Sequence, residues 1–293
     1  MSTLEAALAL SRLGFYVAAT VLFGTQCLLG FLAPAQLGAR LGAVARTGLQ
    51  AASIIAVLAS ILWLFAEAAL AGGGWSVVLT GATLDDLLLS TSTGQALLVR
   101  TGLSIIVMAA FVTLHGAERL KAAFGAVLLG SLSLSGHARM DNGFREVAHL
   151  GNHVIHLLSA GFWFGALAIL PACLARLSDP ELGGAARATL RRFSAIGHLA
   201  VALVVTTGIV NAVLIFDGWP TGSTLYQALL LFKVALVAVM VGIAMLNRYV
   251  FVPRMRVRPN NAIADIRLGT YAELAFGMVV LALVAAFGIM DPT

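Results

Sequence analysis

The chain has 293 residues, 60% of them hydrophobic and 11% charged, with a formal net charge of +5. Soluble domains carry about 25% charged residues, so a water-soluble fold is excluded. The excess positive charge does not point to nucleic acid either, because the cations cluster at the ends of apolar runs, where they act as a topology signal.

Apolar runs long enough to cross a bilayer, about 20 residues each, fall at about 10–33, 47–71, 95–115, 120–138, 147–171, 193–216, 225–249 and 269–290. The first lacks a basic leader and a prompt A-x-A site, so it reads as a retained span. The fourth is the shortest. Between the runs stand turn-rich segments, "FLAPAQLG", "AGGGWS", "SDPELGG", "DGWPTGS" and "VPRMRVRPNN". The expectation is an all-α polytopic transmembrane bundle of about eight helices, a single integral membrane domain over 1–293. Cys27 and Cys173 fall in or beside apolar segments and make no disulfide framework.

The Lys and Arg residues predict orientation. One set of alternate loops holds thirteen, from Arg40 and Arg46 through Arg119 and Lys121 to the 248–267 cluster. The opposite set holds four, Arg12, Arg100, Arg139 and Arg145. The positive-inside rule then puts the first set in the cytoplasm and both termini in the periplasm.

Ionisable groups inside a bilayer are costly, so each is a functional candidate. His149, His153 and His156 in "HLGNHVIHLLSAGFW" are spaced i, i+4 and i+7 and share one face of the fifth helix. His137 closes the fourth helix, and a short loop carrying Met140 and Asp141 returns beside the fifth. Four imidazoles and a thioether can converge near the outer face: imidazole binds Cu, Zn, Fe and Ni, and the thioether favours Cu(I). Glu67 and Lys233 are expected in the same outer leaflet, where they either pair or pack and snorkel separately. Asn211 is expected to donate a hydrogen bond between helices. His198, Cys173 and Met245 lie toward the opposite side and form a candidate exit path for a soft ion.

The segments "SGHA", "HVIHLLSAGFWFGAL", "RRFSAIGHLAVALVVTTGIVNAVLIF", "YQALLLFKVALVAVMVGIAMLNR" and "YAELAFGMVVLALVA", in that order, resemble the pattern of the copper resistance protein D (CopD) family. The resemblance covers about 130–290, and the first four helices match in character only. It implies a multi-pass protein of the bacterial inner membrane that moves copper from periplasm to cytoplasm, beside a periplasmic CopC-like partner. The matching positions are His137, His156, Trp163, Lys233, Asn247 and Arg248. Many members carry an acidic residue where this chain has His153.

No GxxxxGK[ST], CxxC or CPC motif is present, so an ATP-driven pump is not expected, nor is a catalytic residue. The competing reading is a membrane redox protein that holds b-type haem between facing histidines, with Gly151 and Gly161 making room for the macrocycle.

Overall fold

The computed structural model describes residues 2–78, 89–135, 143–216, 218–255, 257–288 and 290. Eight principal helices follow in chain order: α1 Thr3–Cys27, α2 Ala35–Ala71, α3 Ser92–Thr113, α4 Glu118–Gly130, α5 Phe144–Leu167, α6 Gly183–Phe216, α7 Leu225–Leu246 and α8 Pro259–Phe287. A π-helical turn extends α1 over Leu28–Leu32, and another extends α7 over Asn247–Phe251. No strand occurs among the described residues. In hydrocarbon this is the expected outcome, because a helix satisfies its backbone within one segment.

Local signals set the helix ends. Ser2 and Glu5 form a reciprocal capping box, with Glu5 N donating to Ser2 Oγ at 3.2 Å and Ser2 N donating to Glu5 Oε2 at 2.8 Å. Thr91 and Thr224 cap α3 and α7 by accepting from Gly94 N and Gln227 N. Pro259 opens α8, where its missing N–H costs nothing. Gly143 leads into α5 at φ +65°, a left-handed conformation that a β-carbon would strain.

Six helices, all but α4 and α5, are long and apolar enough to cross a membrane. The expected eight elements are all present, with two departures. Helix α4 runs for only 13 residues and gives way to a 3₁₀ turn over Ser131–Leu134. Helix α5 has the length, at 24 residues, but its histidines, Asn152, Arg145 and Glu146 interrupt the apolar run.

Helix α1 is the organising element, packed against α2, α4, α5 and α8. Its contact with α5 is made backbone to backbone. A β-carbon on Gly24 would stand 2.6 Å from Ala166 N and from Gly165 Cα, and one on Gly165 would stand 2.9 Å from Gly24 Cα. Thr25 Oγ1 crosses the seam to donate to Gly165 O at 3.0 Å. Small residues give this closeness, and dispersion rather than the hydrophobic effect drives helix association in lipid. Helices α6 and α7, by contrast, expose long apolar stripes, among them Leu199, Ile209, Val213, Phe232, Val234 and Val239. These are lipid-facing surfaces.

Several cations treated as loop markers are structural. Arg100 is fully buried within α3, its guanidinium 4.4 Å from the Trp63 ring and donating to Ser131 O and Ser135 Oγ. It is no loop cation: aromatic rings, one carbonyl and one hydroxyl surround it, and among the described residues its Nε and Nη1 have no hydrogen-bond partner. Lys121 is buried and paired with Glu118 at 2.8 Å. Arg119 and Arg192 donate to Gly30 O and Leu32 O, carbonyls of the π turn that ends α1. Positive charge at a helix C-terminus also opposes the negative pole of its dipole.

Candidate functional site

Helices α5 and α6 are antiparallel, and a polar seam runs between them. Asn152 Nδ2 donates to Asn211 Oδ1 at 2.8 Å and to Thr207 O at 3.0 Å. One turn further along α5, His156 Nδ1 lies 3.0 Å from Thr207 Oγ1. Each step of four residues along α5 is thus matched by a step of four back along α6. Asn211 acts here as the acceptor and not the expected donor, because the residue facing it is the amide of Asn152.

The seam also decides the state of the His156 ring. The Thr207 hydroxyl hydrogen goes to Leu203 O, a turn back on its own helix. Its oxygen is therefore left to accept, and the Nδ1 of His156 is the donor. The Nε2 atom then keeps its lone pair, which is the form that binds a metal. An oriented imidazole whose second nitrogen is held by a neighbour is the usual outer support of a metal ligand. Gly208 leaves the ring room, since a β-carbon there would stand 3.4 Å from His156 Cε1. Lys233 and His153 are close enough to act on His156 electrostatically.

The remaining candidates divide. His149 is buried and His153 half-buried on α5, each with a partner of its own. The three histidines span about 10 Å of helix axis. Among the described residues, no three His, Cys, Asp or Glu side chains converge as a metal site. His137, Met140 and Asp141 lie outside the described residues. Trp163 is buried in the apolar core beside Leu167 and Leu170, where it packs.

Glu67 belongs elsewhere. It accepts from Trp63 Nε1 at 3.2 Å, on a ring flanked by the Arg12 and Arg100 guanidiniums at 4.9 and 4.4 Å. Of the two arrangements open to Glu67 and Lys233, an ion pair or separate packing, the structure shows packing. Lys233 directs its ammonium over the Phe287 ring at 5.7 Å, a cation–π contact that replaces the carboxylate.

Nor does the exit path assemble. Cys173 is fully buried, its Sγ turned toward Ala186 O, whereas Met245 is 55% exposed. His198 is exposed on α6 and hydrogen-bonded to Ser194 O and Tyr249 Oη. Helices α6 and α7 show these two side chains to the surroundings and not to the core. For haem, the α6 face opposite His156 presents Thr207 and Gly208, not a second imidazole.

Two families of side chain escaped the sequence reading. Asn152 and Thr207 make the seam, and Asn152 was legible as a polar residue at i, i+3, i+7 with His149 and His156. Glu273 is the second. It is 2% exposed in the middle of α8, and a lone acid inside the apolar run 269–290 was its signal.

Comparison with known proteins bears on this arrangement. A family model described as copper resistance protein D matches residues 187–287, and one described as copper resistance protein D-like, N-terminal domain, matches residues 1–150. The chain belongs to the copper resistance protein D family. The likeness therefore reaches the first four helices, where the sequence reading found similarity of character only. Residues 151–186, which hold His153 and His156, fall between the two matches. Copper resistance protein D of Pseudomonas syringae pv. tomato is 32% identical over 302 residues, covering 96% of this chain and 95% of that protein. Inner membrane protein YebZ of Escherichia coli strain K12 is 33% identical over 244 residues, 83% of each chain. No solved structure matches. The protein is a multi-pass membrane member of a copper resistance family.

Proposed function

We propose that the protein resides in the bacterial inner membrane, accepts a copper ion at the α5–α6 seam, and carries it from periplasm toward cytoplasm. It acts as a carrier and not as an enzyme. The observation that supports this reading is the His156 ring, hydrogen-bonded at Nδ1 to Thr207, which makes Nε2 the nitrogen that would meet a metal. His153, the neighbouring imidazole, and His149 on the same helical face extend the site toward the start of α5. His137 and Met140 are the ligands proposed to complete it. Imidazole with thioether favours Cu(I). Both termini and the start of α5 face the periplasm in this reading, so a CopC-like copper chaperone would deliver to that end.

The test is anaerobic titration of purified, metal-free protein with Cu(I), wild type beside His156→Ala. Binding of one or two ions, lost in the variant, is the expected result. Unchanged stoichiometry in the variant removes His156 from the site. A visible haem band in the untreated protein that disappears in the variant replaces copper with haem.

A further inference from the structure

Glu273 stands at the midpoint of the 29-residue α8, about 21 Å from either end at 1.5 Å per residue. It lies on the buried stripe formed with Ile266, Thr270 and Gly277. Among the described residues its Oε1 has no hydrogen-bond partner. One turn toward the start of α8, a β-carbon on Gly269 would stand 2.7 Å from Asn247 Nδ2, so Asn247 packs on the same helix. Asn247 opens the π-helical turn after α7, and its buried Oδ1 is also unpartnered. The Thr270 hydroxyl hydrogen is committed to Ile266 O. Among the described residues, the face thus holds two unpartnered acceptor oxygens, Glu273 Oε1 and Asn247 Oδ1.

Several charged or titratable groups on the packed elements are engaged elsewhere. Lys233 of α7 sits over Phe287, Arg254 over Phe251, and Arg12 of α1 on Trp63. Tyr16 of α1 also packs on Trp63, and His198 holds Tyr249. His156 of α5 is bound to Thr207, and Cys173 points toward Ala186 O. His149 and His153 stand further toward the start of α5 and have partners of their own. An ionised carboxylate left alone in such surroundings is strongly disfavoured by the loss of its water, so it needs either its own proton or a passing cation.

Depth connects this residue to the seam. Phe164 of α5 packs on Gly277 of α8, about 12 Å along α5 from His156. Because α8 runs antiparallel to α5, Glu273 lies about 6 Å deeper still, some 18 Å below His156.

We propose that Glu273 is a proton-exchange site buried below the seam, level with the far end of α5, coupling passage of a monovalent cation to a counter-moving proton. The inference rests on the copper-carrying reading. With the site empty, the carboxyl keeps its O–H bond. As a Cu(I) ion arrives from the seam, that bond breaks, the proton leaves to water, and the carboxylate balances the ion's single charge. When the ion departs, a proton returns from the opposite side. One charge enters as one leaves, and copper is neither oxidised nor reduced.

The experiment is infrared difference spectroscopy on protein in lipid nanodiscs, before and after anaerobic Cu(I) loading, for wild type, Glu273→Gln and His156→Ala. In wild type, loading should remove the carbonyl stretch of a protonated carboxyl. The change should be absent in Glu273→Gln, which still binds Cu(I) with the wild-type stoichiometry at the seam. Glu273→Gln imitates the protonated form, so its thermal midpoint should match wild type. A markedly lower midpoint would mean that the native carboxylate is charged and paired, and would overturn the proposal. Bound Cu(I) with no carboxyl change in wild type would overturn it as well, leaving the seam intact. A wild-type protein that binds no Cu(I) would remove the reading beneath it. A protonated-carboxyl band that then responds to pH and vanishes in Glu273→Gln would retain the exchange site for another cation, and its absence would remove that too.

Discussion

Replacing Thr207 by valine tests whether the α5–α6 seam prepares a metal ligand or only joins two helices. Valine keeps the shape of threonine and the backbone carbonyl that Asn152 uses, so two contacts are lost, the hydroxyl's own bond to Leu203 O and, across the seam, the 3.0 Å bond from His156 Nδ1. Thr207 is 6% exposed, and water cannot readily replace its oxygen. Loss of a partner that orients a metal ligand costs about ten- to a hundredfold in affinity, or about 1.4–2.7 kcal/mol. The assay is Cu(I) competition against a chelator of known affinity, under anaerobic conditions. Thr207→Val should weaken binding by that factor with stoichiometry unchanged, and Thr207→Ser, which keeps the oxygen, should restore it. Wild-type affinity in Thr207→Val, alongside lost binding in His156→Ala, would refute the orienting role. Equal losses in the valine and serine variants would point to packing.

Two further outcomes follow from other parts of the molecule. Gly165→Val places a side chain against the α1 backbone where even a β-carbon would approach Gly24 Cα to 2.9 Å; overpacking of this kind costs about 1–3 kcal/mol or more. The variant should lower the thermal midpoint in detergent, and an unchanged midpoint would mean the α1–α5 seam is looser than described. Asp179, in the turn between α5 and α6, accepts from the backbone N–H groups of Leu182 and Glu181, which with nearby Arg176 hold its carboxyl below the usual carboxylate range. A lowered folded value gives stability that is present above about pH 4 and lost as pH falls through that lowered value. Protease cleavage of the turn should rise below that range in wild type and be pH-independent in Asp179→Asn.

The eight helical elements were legible because a bilayer permits few backbone solutions: apolar runs of spanning length, ended by proline, glycine and capping hydroxyls, become helices wherever they lie. The stripe of His149, His153 and His156 was legible for the same reason, since helical periodicity needs no knowledge of neighbours. Partnerships were not. Glu67 and Lys233 carry opposite charges at similar expected depth, yet Glu67 answers to Trp63 and Lys233 to Phe287. Arg100 looks like a loop cation beside "STGQALLV", and only the packing of α1, α2 and α3 around Trp63 buries it. His198 and Met245 share a soft-ligand chemistry that periodicity cannot assign to core or lipid. By itself the sequence determined that this is a helical membrane protein with an imidazole stripe on its fifth helix. The tertiary structure decided that Thr207 orients His156 and that Glu273 is enclosed, because hydrogen bonds between helices depend on which faces meet and at what depth.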